Sequence, residues 1–170
     1  MKFELVHTFD TDLVNFEKAL LDPRLYDMLG RTMDGLKKIE ELERHDDGKR
    51  VRRRVRSVPQ TEVPAFARGK LKPEMLEWVE ESTYDRELHR LEYRILPNIP
   101  ERWHDRFRSQ GTYSLTEVGG KVRRVIDGEV VIKVSLIGGM AERYVVAQVK
   151  KNFEQEAEGL RAFLREVRGG

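Results

Sequence analysis

The sequence contains no cysteine. That excludes disulfides, a thiolate nucleophile and any cysteine-ligated metal site. No uninterrupted apolar run approaches the ~18 residues a membrane-spanning helix needs. An excess of charge of either sign is also missing: 32 Lys and Arg stand against 30 Asp and Glu, for a net charge of +2. A dedicated nucleic-acid binder carries a clear basic surplus, so the balance argues against nucleic acid as a partner. Histidine is scarce, and His7, His45, His89 and His104 show no ligand spacing such as H-E-x-x-H. No G-x-S-x-G or Ser-His-Asp order is present, so no metal, cofactor or catalytic triad is assigned. The opening Met1–His7 has no apolar stretch of signal-peptide length, and the expectation is a cytoplasmic protein.

What is present is enough apolar material for a core (39%) under a highly charged surface (36%). A chain of 170 residues is read as one domain, 1–170. Lys2 to Phe9 alternates strictly, as a half-buried strand does. Thr11 then serves as an N-cap for a short helix carrying Leu13, Phe16, Ala19 and Leu20. Asp22-Pro23 stops that helix and opens a second, with Leu25, Tyr26, Met28 and Leu29. Asp46-Asp47-Gly48 is a hairpin turn signal, which makes strands of Ile39–His45 and Lys49–Val58. Residues 59–73, with prolines at 59, 64 and 73, are a loop, or a loop carrying a distorted edge strand. Further strands are expected over 75–84, 87–96, 107–117 and 121–134, with turns at Asp85-Arg86 and Gly119-Gly120.

The C-terminal stretch differs in period. Ala141, Val145, Val149, Phe153, Ala157, Leu160, Leu164 and Val167 step by three or four and share one face of a long helix. The uncharged Ser135–Met140 leads into it, with Gly138-Gly139 as a hinge between strand and helix.

Strand, two short helices, about six antiparallel strands and one long helix is the helix-grip order. On the opening Met1-Lys2-Phe3, the Ser135-Leu136-Ile137-Gly138-Gly139 junction and Val149–Glu154, the chain resembles the START-like superfamily. That superfamily spans polyketide cyclases, plant pathogenesis-related proteins and lipid-transfer domains. The likeness runs strongest to an uncharacterised bacterial family of unknown function, with a fainter likeness to PRELI-type lipid-transfer domains. The resemblance implies an α+β fold in which a curved antiparallel sheet of six to seven strands wraps the long helix. It also implies an elongated apolar cavity between them, entered past loops and the short helices.

Polar residues on faces that should be apolar are the candidates for such a cavity. Alternation nominates His7, Arg53, Glu80, His89, Ser109 and Arg124 as inward-facing. Trp78, Tyr93 and Tyr113 fall on the same faces, and Asn152 and Glu156 interrupt the apolar stripe of the long helix. A buried charge needs a partner or cavity water. Either Arg53 or Arg124 pairs with Glu80 or Glu156, or these groups hold the polar end of an amphipathic ligand. On the second view, Glu156→Leu and Asn152→Leu reduce ligand loading with little loss of melting temperature. The function read from this is binding or transport of a hydrophobic or amphipathic small molecule, such as a lipid, with transient membrane contact. Two other readings stand. One is a cavity enzyme of the polyketide cyclase or aromatase type relying on His7, His89, Tyr113 or Glu156. The other is a protein-interaction scaffold with a filled barrel. The basic run Lys49–Arg56 faces the acidic Glu40–Glu43 across the hairpin, so cross-strand ion pairs lead there, ahead of docking on an anionic membrane.

Overall fold

Alternation in the sequence becomes alternation in burial. A computed structural model describes residues 1–169. Its elements are β1 (Lys2–Phe9), α1 (Leu13–Leu21), α2 (Leu25–Thr32), β2 (Leu36–Asp46), β3 (Arg50–Pro59), β4 (Trp78–Asp85), β5 (Arg90–Pro97), β6 (Phe107–Val118), β7 (Lys121–Ile132) and α3 (Gly138–Gly169). The seven strands form one antiparallel sheet in the order β1-β7-β6-β5-β4-β3-β2, curved but not closed. On β3, Val51, Arg53, Val55 and Ser57 are buried while Arg52, Arg54 and Arg56 point out. α3 crosses the concave face, packed against α1, α2, β1 and β7. This is the helix-grip architecture.

The outward arginines of β3 confirm the ion-pair reading of the basic run. Glu40 pairs in register with Arg56 and Glu43 with Arg54, each bridged at 3.2 Å. Arg54 also reaches Glu81, which is held by Arg94 at 2.6 Å, so charges of alternating sign run across four strands. Each exposed pair contributes only about 0–1 kcal/mol. Their larger effect is on register, because a one-residue slip would break every one of these pairs and turn each strand's side chains to the other face.

Four local expectations change. The N-cap of α1 is Asp12, whose carboxylate accepts from the Asn15 amide at 2.7 Å, and Thr11 is buried instead. The segment after β3 forms two short 3-10 turns, Ala65–Ala67 and Pro73–Leu76, and no edge strand. β4 accordingly starts at Trp78. The β4–β5 turn takes in residues 86–89, with His89 in the left-handed region at φ +48°. The buried face of α3 is also wider than one stripe. Val146 and Phe163 join it, whereas Val167 is half exposed and Val145 and Val149 are only half-buried. α3 is gripped from two sides, by the sheet and by α2. At Gly159 a Cβ would sit 2.6 Å from Leu29 Cδ2 and 2.7 Å from Thr32 Oγ1, so only glycine allows that approach.

The strand-to-helix reversal is made at Leu136, left-handed at φ +70° and fully exposed. Gly138 has a different role from the expected hinge: a Cβ there would press on the Ile132 carbonyl oxygen at 2.7 Å. Its amide donates to the Val134 carbonyl and is not free to cradle an anion.

Candidate functional site: the cavity between sheet and helix

The inner face of the sheet is divided by height. At the end where β4 meets β5 and β6 meets β7, Phe9, Phe16, Val51, Tyr84, Leu91, Val122 and Leu160 are packed to zero or near-zero exposure. That end is solid core. Toward the other end of the strands α3 and the sheet part, leaving a cavity of about 990 Å³. Its mouth is built by the loop after β3 (Pro64, Phe66, Leu71, Met75), by the turn before β6 (Arg102, Trp103), and by Val134 and Ile137. Apolar side chains of both walls face it, among them Val55, Ile95, Ile132, Val145 and Val149.

Polar groups gather where cavity meets core. Tyr26 comes from α2, Arg53 from β3, Glu80 from β4, Tyr93 from β5, Tyr113 from β6, and Asn152 and Glu156 from α3. Two glycines make room for this layer. Tyr93 is opposite Gly111, and a Cβ there would meet the Tyr93 hydroxyl at 2.6 Å. Gly111 is in turn opposite Gly128, over which the Phe3 ring lies at 2.2 Å from a would-be Cβ. The glycine furrow lets both aromatic rings lie flat against the sheet.

Arg53 is buried and donates from Nη1 to the Leu20 carbonyl at 2.9 Å. It thereby closes the C-terminal end of α1, where a cation is favoured. Its Nε has no partner. Glu80 has no hydrogen-bond or ion-pair partner among the described residues. Its carboxyl pKa is pushed up to about 7, chiefly by burial and then by the nearby Glu156, with Arg53 and Arg124 pulling the other way. The Tyr93 hydroxyl is buried without a partner. Burial raises the phenols too, Tyr26 to about 12 and Tyr113 well above its ordinary value. They remain neutral donors.

Of the eleven residues nominated from the sequence, Arg53, Trp78, Glu80, Tyr93, Ser109, Tyr113, Asn152 and Glu156 line the cavity. His7 and Arg124 face inward, as alternation requires, but lie beneath α3 outside the void. The Arg124 guanidinium is fully buried, 5.3–5.9 Å from the ring centres of Phe9, Tyr113 and Phe153. Its Nη1 donates to Glu156 Oε1 at 2.6 Å and its Nη2 to His7 Nδ1 at 3.2 Å. An arginine only donates, so His7 Nδ1 is the acceptor and its Nε2–H donates to Glu154 at 3.0 Å. Burial, reinforced by Arg124, lowers the His7 pKa and keeps that neutral tautomer. His89 leaves the expected face altogether. It belongs to the turn rather than the strand, with Nδ1 3.5 Å from Glu17 on α1. The pairing of Arg124 with Glu156 corrects the expectation that Glu156 can be replaced cheaply. Tyr26 and the mouth residues Phe66 and Trp103 were not nominated. Tyr26 reads simply as part of an amphipathic helix, and the other two occupy segments without periodicity.

Comparison with solved structures places the fold. The chain is similar to a protein of Thermus thermophilus (TM-score 0.69, 18% identity, covering 98% of this chain and 99% of that one). It is similar to norcoclaurine synthase from Thalictrum flavum (TM-score 0.62, 13% identity, 98% and 87%). A START superfamily protein from Mycobacterium smegmatis also matches (TM-score 0.56, 13% identity, 98% of each chain). No match is found among curated proteins. Among the described residues no helix is long and apolar enough to cross a membrane. The fold is a START-like helix-grip, and with a family model matching residues 4–164 the chain belongs to the family described as protein of unknown function, DUF2505.

Proposed function

We propose that this protein binds a hydrophobic or amphipathic small molecule, such as a lipid, inside the cavity. The observation that carries the reading is a void of about 990 Å³ with apolar walls and a polar layer at its inner end. A volume of this size is at the top of the ~300–1,000 Å³ range of small-molecule sites. A scaffold with a filled barrel has no use for such a void. The enzyme reading rests on four residues, of which His7 is hydrogen-bonded to both Arg124 and Glu154, Glu156 is ion-paired with Arg124, and His89 lies in a turn. That leaves Tyr113 as the one of the four that faces the cavity without being tied to another side chain. The test is native mass spectrometry of the purified protein, followed by solvent extraction. Wild type should carry or take up an amphiphile. Val149→Trp, which projects an indole into the void, should lower loading at least tenfold while shifting the melting temperature by only a few degrees. Equal loading by that variant would place the ligand elsewhere.

Exchange of the ligand at an anionic membrane surface is the finer part of this reading. It is supported by the fully exposed Leu136 and half-exposed Met140 near the mouth. Lys70, Lys72, Arg102 and Arg106 line the mouth, are exposed, and make no ion pair among the described residues. Co-sedimentation with phosphatidylglycerol vesicles should fall severalfold for Leu136→Asp and fall with rising salt. Binding that ignores both changes would remove membrane exchange from the proposal.

A further inference from the structure

The inner end of the cavity holds two groups of opposite charge that do not pair with one another. Arg53 and Glu80 project from adjacent strands on the same face: Arg53 is opposite Ser82 and Glu80 opposite Val55, which makes them diagonal neighbours. Diagonal positions are within reach of long side chains. Yet the two form no ion pair, and both line the void. Arg53 spends one donor on the Leu20 carbonyl and keeps Nε unpartnered. Across from them the Tyr93 hydroxyl is buried with no partner.

We propose that this polar end recognises the carboxylate of an amphipathic monocarboxylic acid, with Arg53 as its cation and a protonated Glu80 as a hydrogen-bond donor. The inference rests on the cavity-binding reading above and specifies its ligand. Charge makes the choice of an anion. The groups facing Glu80 are Arg53 from β3, Arg124 from β7, Glu156 from α3, and the neutral phenols Tyr26, Tyr93 and Tyr113 from α2, β5 and β6. Arg124 and Glu156 cancel one another at 2.6 Å. With Glu80 protonated, one positive charge is left over, that of Arg53. With Glu80 ionised the layer is neutral and a carboxylate ligand would face a second carboxylate. Recognition of the acid is therefore coupled to a proton on Glu80, which titrates near neutrality because burial holds its pKa at about 7. A cationic amine would show the opposite dependence, because it would be favoured by ionised Glu80.

The test is calorimetric titration of the full chain with tetradecanoic acid, tetradecan-1-ol and tetradecylamine, at pH 6 and pH 8. The acid should bind wild type about tenfold more weakly at pH 8 than at pH 6, the factor by which the protonated fraction of a group with a pKa of about 7 falls over that interval. Glu80→Gln, which keeps the donor and removes the charge, should hold the pH 6 affinity at both values. The alcohol should bind with little pH dependence. An amine that outcompetes the acid, or an acid slope that persists unchanged in Glu80→Gln, would overturn the proton-coupled carboxylate site. If the alcohol still binds in either case, the cavity-binding function survives. Failure of all three amphiphiles to bind would overturn both.

Discussion

Replacing Glu156 with leucine lowers stability by about 3–5 kcal/mol, the cost of removing one partner from a buried ion pair. For a domain of this size that is a fall of roughly 6–20 °C in melting temperature. The reason lies with the residue left behind. Arg124 is fully buried among Phe9, Tyr113 and Phe153, and its Nε already lacks a partner. Glu156 Oε1, at 2.6 Å, is the carboxylate oxygen that compensates its charge. Without it the guanidinium must be dragged toward the cavity or hold an uncompensated charge in the core. The double replacement Arg124→Leu with Glu156→Leu should recover most of the loss, because an apolar pair of similar volume does not carry the desolvation cost. A thermal melt showing less than about 1 kcal/mol for the single variant would mean that cavity water already solvates Arg124. Asn152 makes no such pair, so Asn152→Leu keeps the small stability effect expected of a cavity-lining residue.

Replacing Glu80 with glutamine has the opposite sign and depends on pH. The folded protein holds this carboxyl at about 7, against an ordinary 4.5. Below pH 4.5 both folded and unfolded chains carry the proton, and the side chain costs nothing. As pH rises from 4.5 to 7 the unfolded chain ionises and the folded one resists, so wild-type stability falls. The loss is complete above pH 7 and reaches up to about 3 kcal/mol, since each pKa unit is worth ~1.36 kcal/mol. Glu80→Gln escapes it. The variant should melt several degrees above wild type at pH 8 and coincide with it at pH 4.5, both without ligand. Equal melting temperatures at pH 8 would show that the carboxylate is solvated or paired in the folded state. A stabilising substitution at a cavity residue is the pattern expected where a site keeps a group for function at the expense of stability.

These two glutamates show how far reasoning from the residues reaches. Both were nominated for the same reason, a carboxylate on an apolar face. Alternation placed Glu80 and Arg53 inward on β4 and β3, and the heptad-like spacing placed Glu156 on the inner face of α3. Which of them would find a partner was not legible. Glu156 lies 32 residues beyond Arg124, and Glu80 has Val55 and Ile95 opposite it. His89 shows the complementary failure. Its parity matched Leu91 and Tyr93, but parity carries meaning only inside an extended strand, and residues 86–89 turn. The mouth was the least legible part. Residues 59–73 have neither a period of two nor one of 3.6, so nothing in the local pattern says which side chains turn inward.

Periodicity and turn signals determined most of the order of elements and the side of the sheet that strand residues face, and that order carries the resemblance which implies the helix-grip fold. Facing follows from period because backbone geometry ties side-chain direction to position along the chain. Tertiary structure alone decided which inward residues meet core and which meet a void. That depends on where α3 crosses the sheet and how closely α2 holds it at Gly159. His7 and Arg124 fall under the helix and lock its middle turns in place. Arg53 and Glu80 face the cavity instead, and there the same kinds of side chain are left without an ion-pair partner among the described residues.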